Sequence, residues 1–295
     1  MATATAPARL PDDPWGGGAA LPAGGLRHDA QAVRVVWHRE IIAFFRNRIR
    51  IGVALVQPVL FLFVLGTGLS GLTQAAAGDI SFRTFMFPGV LALAVLMPAF
   101  FSAGSVVFDR EFGFLREMLV APIRRGSIVV GKCLGGATVA AIQGALILCL
   151  AGLVDVPYDP LLLLTLIGEL ILLSFLLVAF GVMCAARITQ FQSFMAVVQM
   201  IMFPLLFLSG AMFPLTGLPT WLHTLTRLDP LTYAVDPLRR AVFDHLDVSE
   251  RTRQTLDPGV TWGGWQVPTG LELGIVAVAG IAMLVAAIIQ FQKVD

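Results

Sequence analysis

The chain has 295 residues, 57% of them hydrophobic and only 13% charged, with a mean hydropathy of +0.83. A water-soluble domain carries about a quarter charged residues. Twenty basic against nineteen acidic residues leave a net charge of +1, which excludes a basic nucleic-acid binder or an acidic disordered tail as the main theme. Five runs (51–78, 84–108, 133–154, 188–226 and 273–292) contain no Asp, Glu, Lys or Arg. Each reaches the roughly 20 residues that cross a hydrocarbon core. The composition therefore predicts an all-α membrane protein.

In chain order, residues 1–28 are rich in Ala, Pro and Gly and lack a signal-peptide pattern, so a disordered cytoplasmic tail is expected. Asp29 is a plausible N-cap for an amphipathic interface helix over 29–48. There Val33, Trp37, Ile41 and Phe44 recur at helical spacing with Arg39 and Arg46 opposite, so the apolar face is expected in lipid. Glu40 falls near the apolar stripe and breaks the pattern. A cytoplasmic continuation of the first span is the other reading of this segment.

Six spans follow, over 51–69, 85–107, 128–153, 161–185, 194–213 and 270–291, within a domain of residues 49–295. Basic residues set the orientation. Arg34, Arg39, Arg46, Arg48 and Arg50 precede the first span, and Arg110, Arg116, Arg124, Arg125 and Lys132 lie around the second connection. Arg187 and Lys293 fall on the same side, whereas the first connection holds only Arg83. Both termini are expected in the cytoplasm.

Two connections stand out. Over 109–125, Phe112, Leu115 and Leu119 share one face, while Arg110, Glu117 and Arg124 are polar and Pro122 breaks the run. Apolar anchors with alternating charges suit docking onto a soluble partner. In the external segment after span five, Pro214, Pro219, Pro230 and Pro237 are expected to break the chain into short helices, with Trp221 and Tyr233 at headgroup level. Helices that dip into the outer leaflet need protein around their ends.

Several motifs are decoys. Gly126 to Cys133 matches G-x-x-x-x-G-K, yet Cys133 stands where a phosphate loop needs Ser or Thr, and the run opens an apolar span. Leu208-Ser209-Gly210-Ala211 is a fragment of an ATPase signature inside a membrane helix. His28, His38, His223 and His245 show no metal-ligand spacing, so no metal site is expected. Cys133, Cys149 and Cys184 read as small buried hydrophobes.

Taken together, Asp109-Arg110-Glu111-x-Gly113, Pro122-x-Arg124-Arg125, Gly131-Lys132, Ser209-Gly210-x-x-Phe213-Pro214, Leu218-Pro219-x-Trp221, Pro230-Leu231-x-Tyr233 and Arg239 resemble the type-2 ABC exporter permeases, especially the daunorubicin-resistance-like branch. The resemblance covers about residues 30–292. It implies a six-helix permease of a bacterial inner membrane that dimerises, as a homodimer or heterodimer, and binds two separately encoded ATPase subunits, which hold ATP and Mg. By the same resemblance, 109–125 is a coupling helix carrying Asp109, Arg110, Glu111, Gly113, Arg116, Glu117, Pro122, Arg124 and Arg125. Likewise 29–48 (Trp37, Arg39, Glu40, Phe44) is the interface helix, and 214–240 (with Phe213, Pro214, Pro219, Trp221, Tyr233, Arg239) forms external re-entrant helices.

Glu169 is the one acidic residue well inside a span, and such carboxylates face a bundle interior or cavity. Glu169 and Gln143 both lie about 24 Å from the cytoplasmic ends of their spans, so the two could meet. Lys132, about 8 Å deep, is expected to snorkel to the interface. Gln57 and Gln199 are further candidates for an export path. The expected function is outward, ATP-driven transport of an amphipathic or lipid-like substrate by a non-enzymatic subunit, with no cofactor on this chain. A lipid-processing enzyme would need an acidic cluster at one face, and Asp109, Glu111 and Glu117 are interleaved with arginines instead. A channel or scaffold is the remaining alternative, and no charged ring marks a pore.

Overall fold

A computed structural model describes residues 26–69, 80–113, 124–214, 219–246, 248–249, 252–253, 256, 259–262 and 265–293. The elements in order are α1 (Leu26–Arg46), α2 (Arg48–Gly68), α3 (Phe82–Glu111), α4 (Arg125–Leu148), α5 (Pro160–Ala185), α6 (Phe191–Leu208), α7 (Thr220–Leu228) and α8 (Thr232–Asp244). A two-stranded antiparallel hairpin follows, β1 (Thr261–Trp262) with β2 (Trp265–Gln266), and then α9 (Thr269–Lys293). Among the described residues, α2, α3, α4, α5, α6 and α9 are the six helices long and apolar enough to cross a membrane. The chain is thus an all-α membrane protein with six spans.

Local chemistry fixes the ends. The Asn47 side chain accepts from the Arg50 amide and starts α2 directly after α1. Ser81 caps α3 through the Thr84 amide, and Asp159 caps α5 with Pro160 at its first position. The α3 helix stops at Gly113, whose φ of +81° a side chain would resist. Asp109, Arg110 and Glu111 are therefore the last turn of a spanning helix, not the opening of a separate coupling helix. Residues 114–123, including Arg116, Glu117 and Pro122, lie outside the described residues, as does the tail 1–25.

Two further boundaries differ from expectation. The predicted third span runs to 153, but α4 ends at Leu148 and Ala151–Val154 form a 3₁₀ turn. The predicted fifth span runs to 213, but α6 ends at Leu208, because Gly210 turns the chain at a φ of +72°. Of the four prolines expected to break the external segment, Pro214, Pro219 and Pro230 lie between helices, and only Pro237 sits inside one, α8. Pro88, Pro98 and Pro204 also sit inside helices, and Pro58 is followed by a π-helical turn, Phe61–Leu65.

Packing divides the bundle. Within its most apolar stretch α3 is 83% buried, against 17% for α2 and 22% for α6 and α9. The α3 helix lies between α4 and α5, with α2, α6 and α8 around it, while α9 packs on α5 and α4. Phe85, Phe87 and Phe100 of α3, with Phe194 and Phe243, are the largest buried side chains. The α1 helix packs along α4, burying Ala32, Val36 and Phe44. Much of the face expected in lipid is therefore covered by protein. Gly131 and Gly135 make that approach possible: a Cβ at either would come within 2.8 Å of Val36 Cβ or 2.7 Å of Glu40 Cβ. Small residues at such a seam let helix backbones pack closely.

Candidate functional site

Four charges from three helices meet where α3 ends. Lys132 Nζ of α4 lies 2.6 Å from Asp109 Oδ2 of α3 and 3.4 Å from Glu40 Oε1 of α1, and it donates to Ser105 Oγ at 2.9 Å. Arg39 Nη2 reaches the same Asp109 oxygen at 2.9 Å and Glu40 at 3.3 Å. Two cations thus face two carboxylates, which keeps a buried group of charges neutral. Lys132 is 2% exposed and points into the protein, so it does not snorkel. Glu40 falls on the buried stripe of Val36 and Phe44 because it is a partner of Lys132, not because the helix pattern fails. Burial opposes the Arg39 charge, but the hydrogen bond and charge of Asp109, together with Glu40, outweigh it and raise its pKa above the usual arginine value.

The next two residues of α3 fasten two other helices. Arg110 Nη1 donates to the carbonyls of Ala186 and Ile188, both at 3.1 Å, just past the end of α5. Cations at a helix C-terminus satisfy its orphan carbonyls. Glu111 Oε2 accepts from the Phe191 amide at 2.8 Å, at the start of α6, where a carboxylate meets the positive end of the helix. Phe108 packs edge-on against Phe191, with ring centroids 6.2 Å apart. Beyond the undescribed connection, Arg124 pairs with Asp29 at 3.3 Å, and Arg125 Nη1 donates to the Gln292 carbonyl at 3.4 Å. Trp37 Nε1 donates to Thr138 Oγ1 at 3.1 Å and locks α1 to α4 once more.

The intramembrane polar residues separate into three places. Glu169 and Gln143 are both buried but do not hydrogen-bond to each other; Glu169 Oε2 and Gln143 Nε2 have no hydrogen-bond partner. Gln199 is exposed on the outer face of α6 beside Met200 and Phe203. Gln57 and Gln143 do come together, lining a cavity of about 260 Å³ between α1, α2, α3 and α4. Arg50 joins them there.

At the other end of α3, the segment after α6 folds back on the bundle. Arg239 Nη2 donates to the Gly210 carbonyl, and its guanidinium lies 4.8 Å from the Phe85 ring centre. This contact ties Ser209-Gly210 to Arg239 in space. Arg240 Nη2 meets Asp236 at 2.5 Å and Glu272 of α9 at 3.4 Å, and Arg240 Nη1 donates to the Val267 carbonyl at 2.8 Å. Asp236 also accepts from the Val260 amide at 3.2 Å. Tyr233 is buried, donating to the Arg227 carbonyl and accepting from Trp262 Nε1, so it is not a headgroup residue. Trp221 is exposed. Burial pushes the Asp229 carboxyl up to about 7, with the Leu231 amide opposing the shift. Pro214 and Pro219 flank the undescribed residues 215–218, and Phe213 stacks on Phe207.

Sequence reasoning missed the Asp236–Arg240–Glu272 cluster and the pairing of Lys132. Their trace was a set of charges that fitted no local pattern. Cys149 is exposed, contrary to expectation, whereas Cys133 is buried. Among the described residues no group of three His, Cys, Asp or Glu side chains could hold a metal ion.

Among the described residues, the charged groups of this spanning bundle serve mainly to fasten helices to one another. The ABC-2 type transporter family model matches residues 31–243, and the chain belongs to that family. A putative transport permease ycf38 of Cyanophora paradoxa is 31% identical over 216 residues, covering 71% of this chain and 73% of the relative. Nodulation protein J of Rhizobium leguminosarum bv. trifolii is 31% identical over 229 residues, 77% and 85% of the two chains. The inner membrane transport permease YadH of Escherichia coli K12 is 26% identical over 212 residues, 70% and 81%. The chain is accordingly a multi-pass transport permease of the ABC-2 type, a family that implies an ABC ATPase partner.

Proposed function

We propose that this permease is the membrane half of an ATP-driven exporter, working as a dimer with two ATPase subunits that hold ATP and Mg. It moves an amphipathic or lipid-like substrate outward across a bacterial inner membrane, with both termini in the cytoplasm. The supporting observation is the end of α3. Three consecutive residues bind α1 with α4 (Asp109), the end of α5 (Arg110) and the start of α6 (Glu111), immediately before the 114–123 connection. A partner that displaced this connection would pull on four helices at once. Such a joint suits alternating access, which needs two global arrangements with different contacts at the moving element.

The test is reconstitution of the permease in lipid with its ATPase. Co-purification with vanadate-sensitive turnover stimulated by the permease is expected. Arg124→Glu, at a side chain 66% exposed, should weaken that coupling with insertion intact. Glu111→Lys should weaken it more, since it also removes the acceptor of the Phe191 amide. Failure to associate with any ABC ATPase would sink the reading.

A further inference from the structure

The α1–α2 corner holds a feature that transport coupling does not use. At this corner Arg46, Arg48 and Arg50 are exposed, and none of them has an ion pair among the described residues. The negative charge that acts on Arg50 is that of Glu40, which is already shared by Lys132 and Arg39. Arg50 lies with its guanidinium 5.3 Å from the Phe101 ring centre, on the wall of the 260 Å³ cavity. The rest of the wall is mostly apolar: Phe44, Val53, Met97 and Val139 among others. Gln57, two turns below Arg50 and about 10 Å deeper, lines it too. So does Gln143, 1% exposed, whose Nε2 has no acceptor in the protein. A buried amide donor left without an acceptor is costly, and the group that satisfies it must come from elsewhere.

We propose that this corner is a binding site for a membrane lipid with an anionic headgroup. The phosphate sits at Arg50, with Arg46 and Arg48 supplying field, and the upper acyl region fills the cavity, where an ester carbonyl accepts from Gln143. The polar equipment facing the cavity is suited to this: a guanidinium offers only donors, and the two amides add donors deeper in an apolar slot. Basic pockets between spans at one membrane face select anionic headgroups in this way. The site needs no ATPase partner and does not depend on the transport reading.

The purified full-length chain in detergent is titrated with dioleoyl phosphatidylglycerol or dioleoyl phosphatidylcholine, and bound lipid is counted by native mass spectrometry. Phosphatidylglycerol should bind more tightly, and Arg50→Gln should lower its affinity about fivefold while leaving phosphatidylcholine unchanged. Arg50→Lys should restore most of the loss. Val53→Trp, at a residue 66% exposed on the cavity rim, should weaken both lipids without touching a charge. Equal binding of the two lipids to the unaltered chain would overturn the proposal, as would an unchanged preference in Arg50→Gln. Displacement by millimolar inorganic phosphate, as effective as displacement by lipid, would reduce the corner to a simple anion site. A Val53→Cys disulfide between two copies that excludes lipid would assign the face to a dimer contact instead.

Discussion

The two buried charge clusters, at opposite ends of α3, are built on different plans. Around Asp109, side chains meet side chains: Lys132 and Arg39 share one carboxylate oxygen, and Arg39 remains 45% exposed at the rim. Around Arg240, side chains are held by backbone: the Val267 carbonyl and the Val260 amide fix Arg240 and Asp236, and Glu272 is fully buried. In the first cluster the charged groups are held by other side chains, so partners can be exchanged without moving main chain. The second staples a hairpin to α8 and α9, and rearranging it means moving main chain. One end of the molecule is a joint and the other a clamp.

That contrast can be broken by mutation. Arg240→Met should be the most damaging change, since it removes the guanidinium that Asp236 and Glu272 share; loss of one partner from a buried pair costs about 3–5 kcal/mol. Loss of monodisperse protein in detergent, or a melting point lowered by many degrees, would show it. Lys132→Met should cost somewhat less, because Arg39 still covers Asp109, and Arg39→Ala should cost under about 1 kcal/mol at its exposed position. Equal losses for Lys132→Met and Arg39→Ala would contradict the reading of a buried core with an open rim.

Gly135→Val tests the seam instead of the charges. Its added carbons meet Glu40 Cβ at 2.7 Å or closer, so α1 must shift, at roughly 1–3 kcal/mol, and Cys pairs placed across α1 and α4 should cross-link less readily. The smallest effect concerns Asp229 at the clamp end. Its carboxyl is raised from an ordinary 3.8 to about 7 by burial, so the folded chain favours the protonated form. The stability this brings is full below about 4 and is lost as the pH rises through about 7. Between pH 6 and 8 the loss is roughly 1 kcal/mol. Melting should therefore fall across that range in the unaltered chain and stay flat in Asp229→Asn, which keeps the acceptor for the Leu231 amide.

The spans were legible because uncharged runs of this length have one physical use. Their ends were less so. Gly113 and Gly210 stop or turn the chain through left-handed backbone, and nothing in the surrounding sequence distinguishes them from glycines lying within helices. Glu40 in an apolar stripe and Lys132 in an apolar span each looked like a flaw in its own segment. They explain each other only once α1 lies along α4. Arg110 was singled out, but its grip on the end of α5 left no trace, since its acceptors are main-chain carbonyls that any sequence would supply. Glu169 and Gln143 were matched correctly for burial but not for contact, because equal depth says nothing about azimuth.

The fan of contacts at the end of α3 has a mechanical consequence. Successive residues of a helix point about 100° apart, so Asp109, Arg110 and Glu111 look outward in three directions from one turn. A twist of α3 about its own axis by about 20° would sweep each of those side chains sideways by about 2 Å at the helix rim. That is enough to break hydrogen bonds of 2.6 to 3.1 Å. The three grips would slip together or hold together. Torque on one rod would then be read out as a threshold: below it the bundle stays latched, and above it α1, α5 and α6 are released in the same instant.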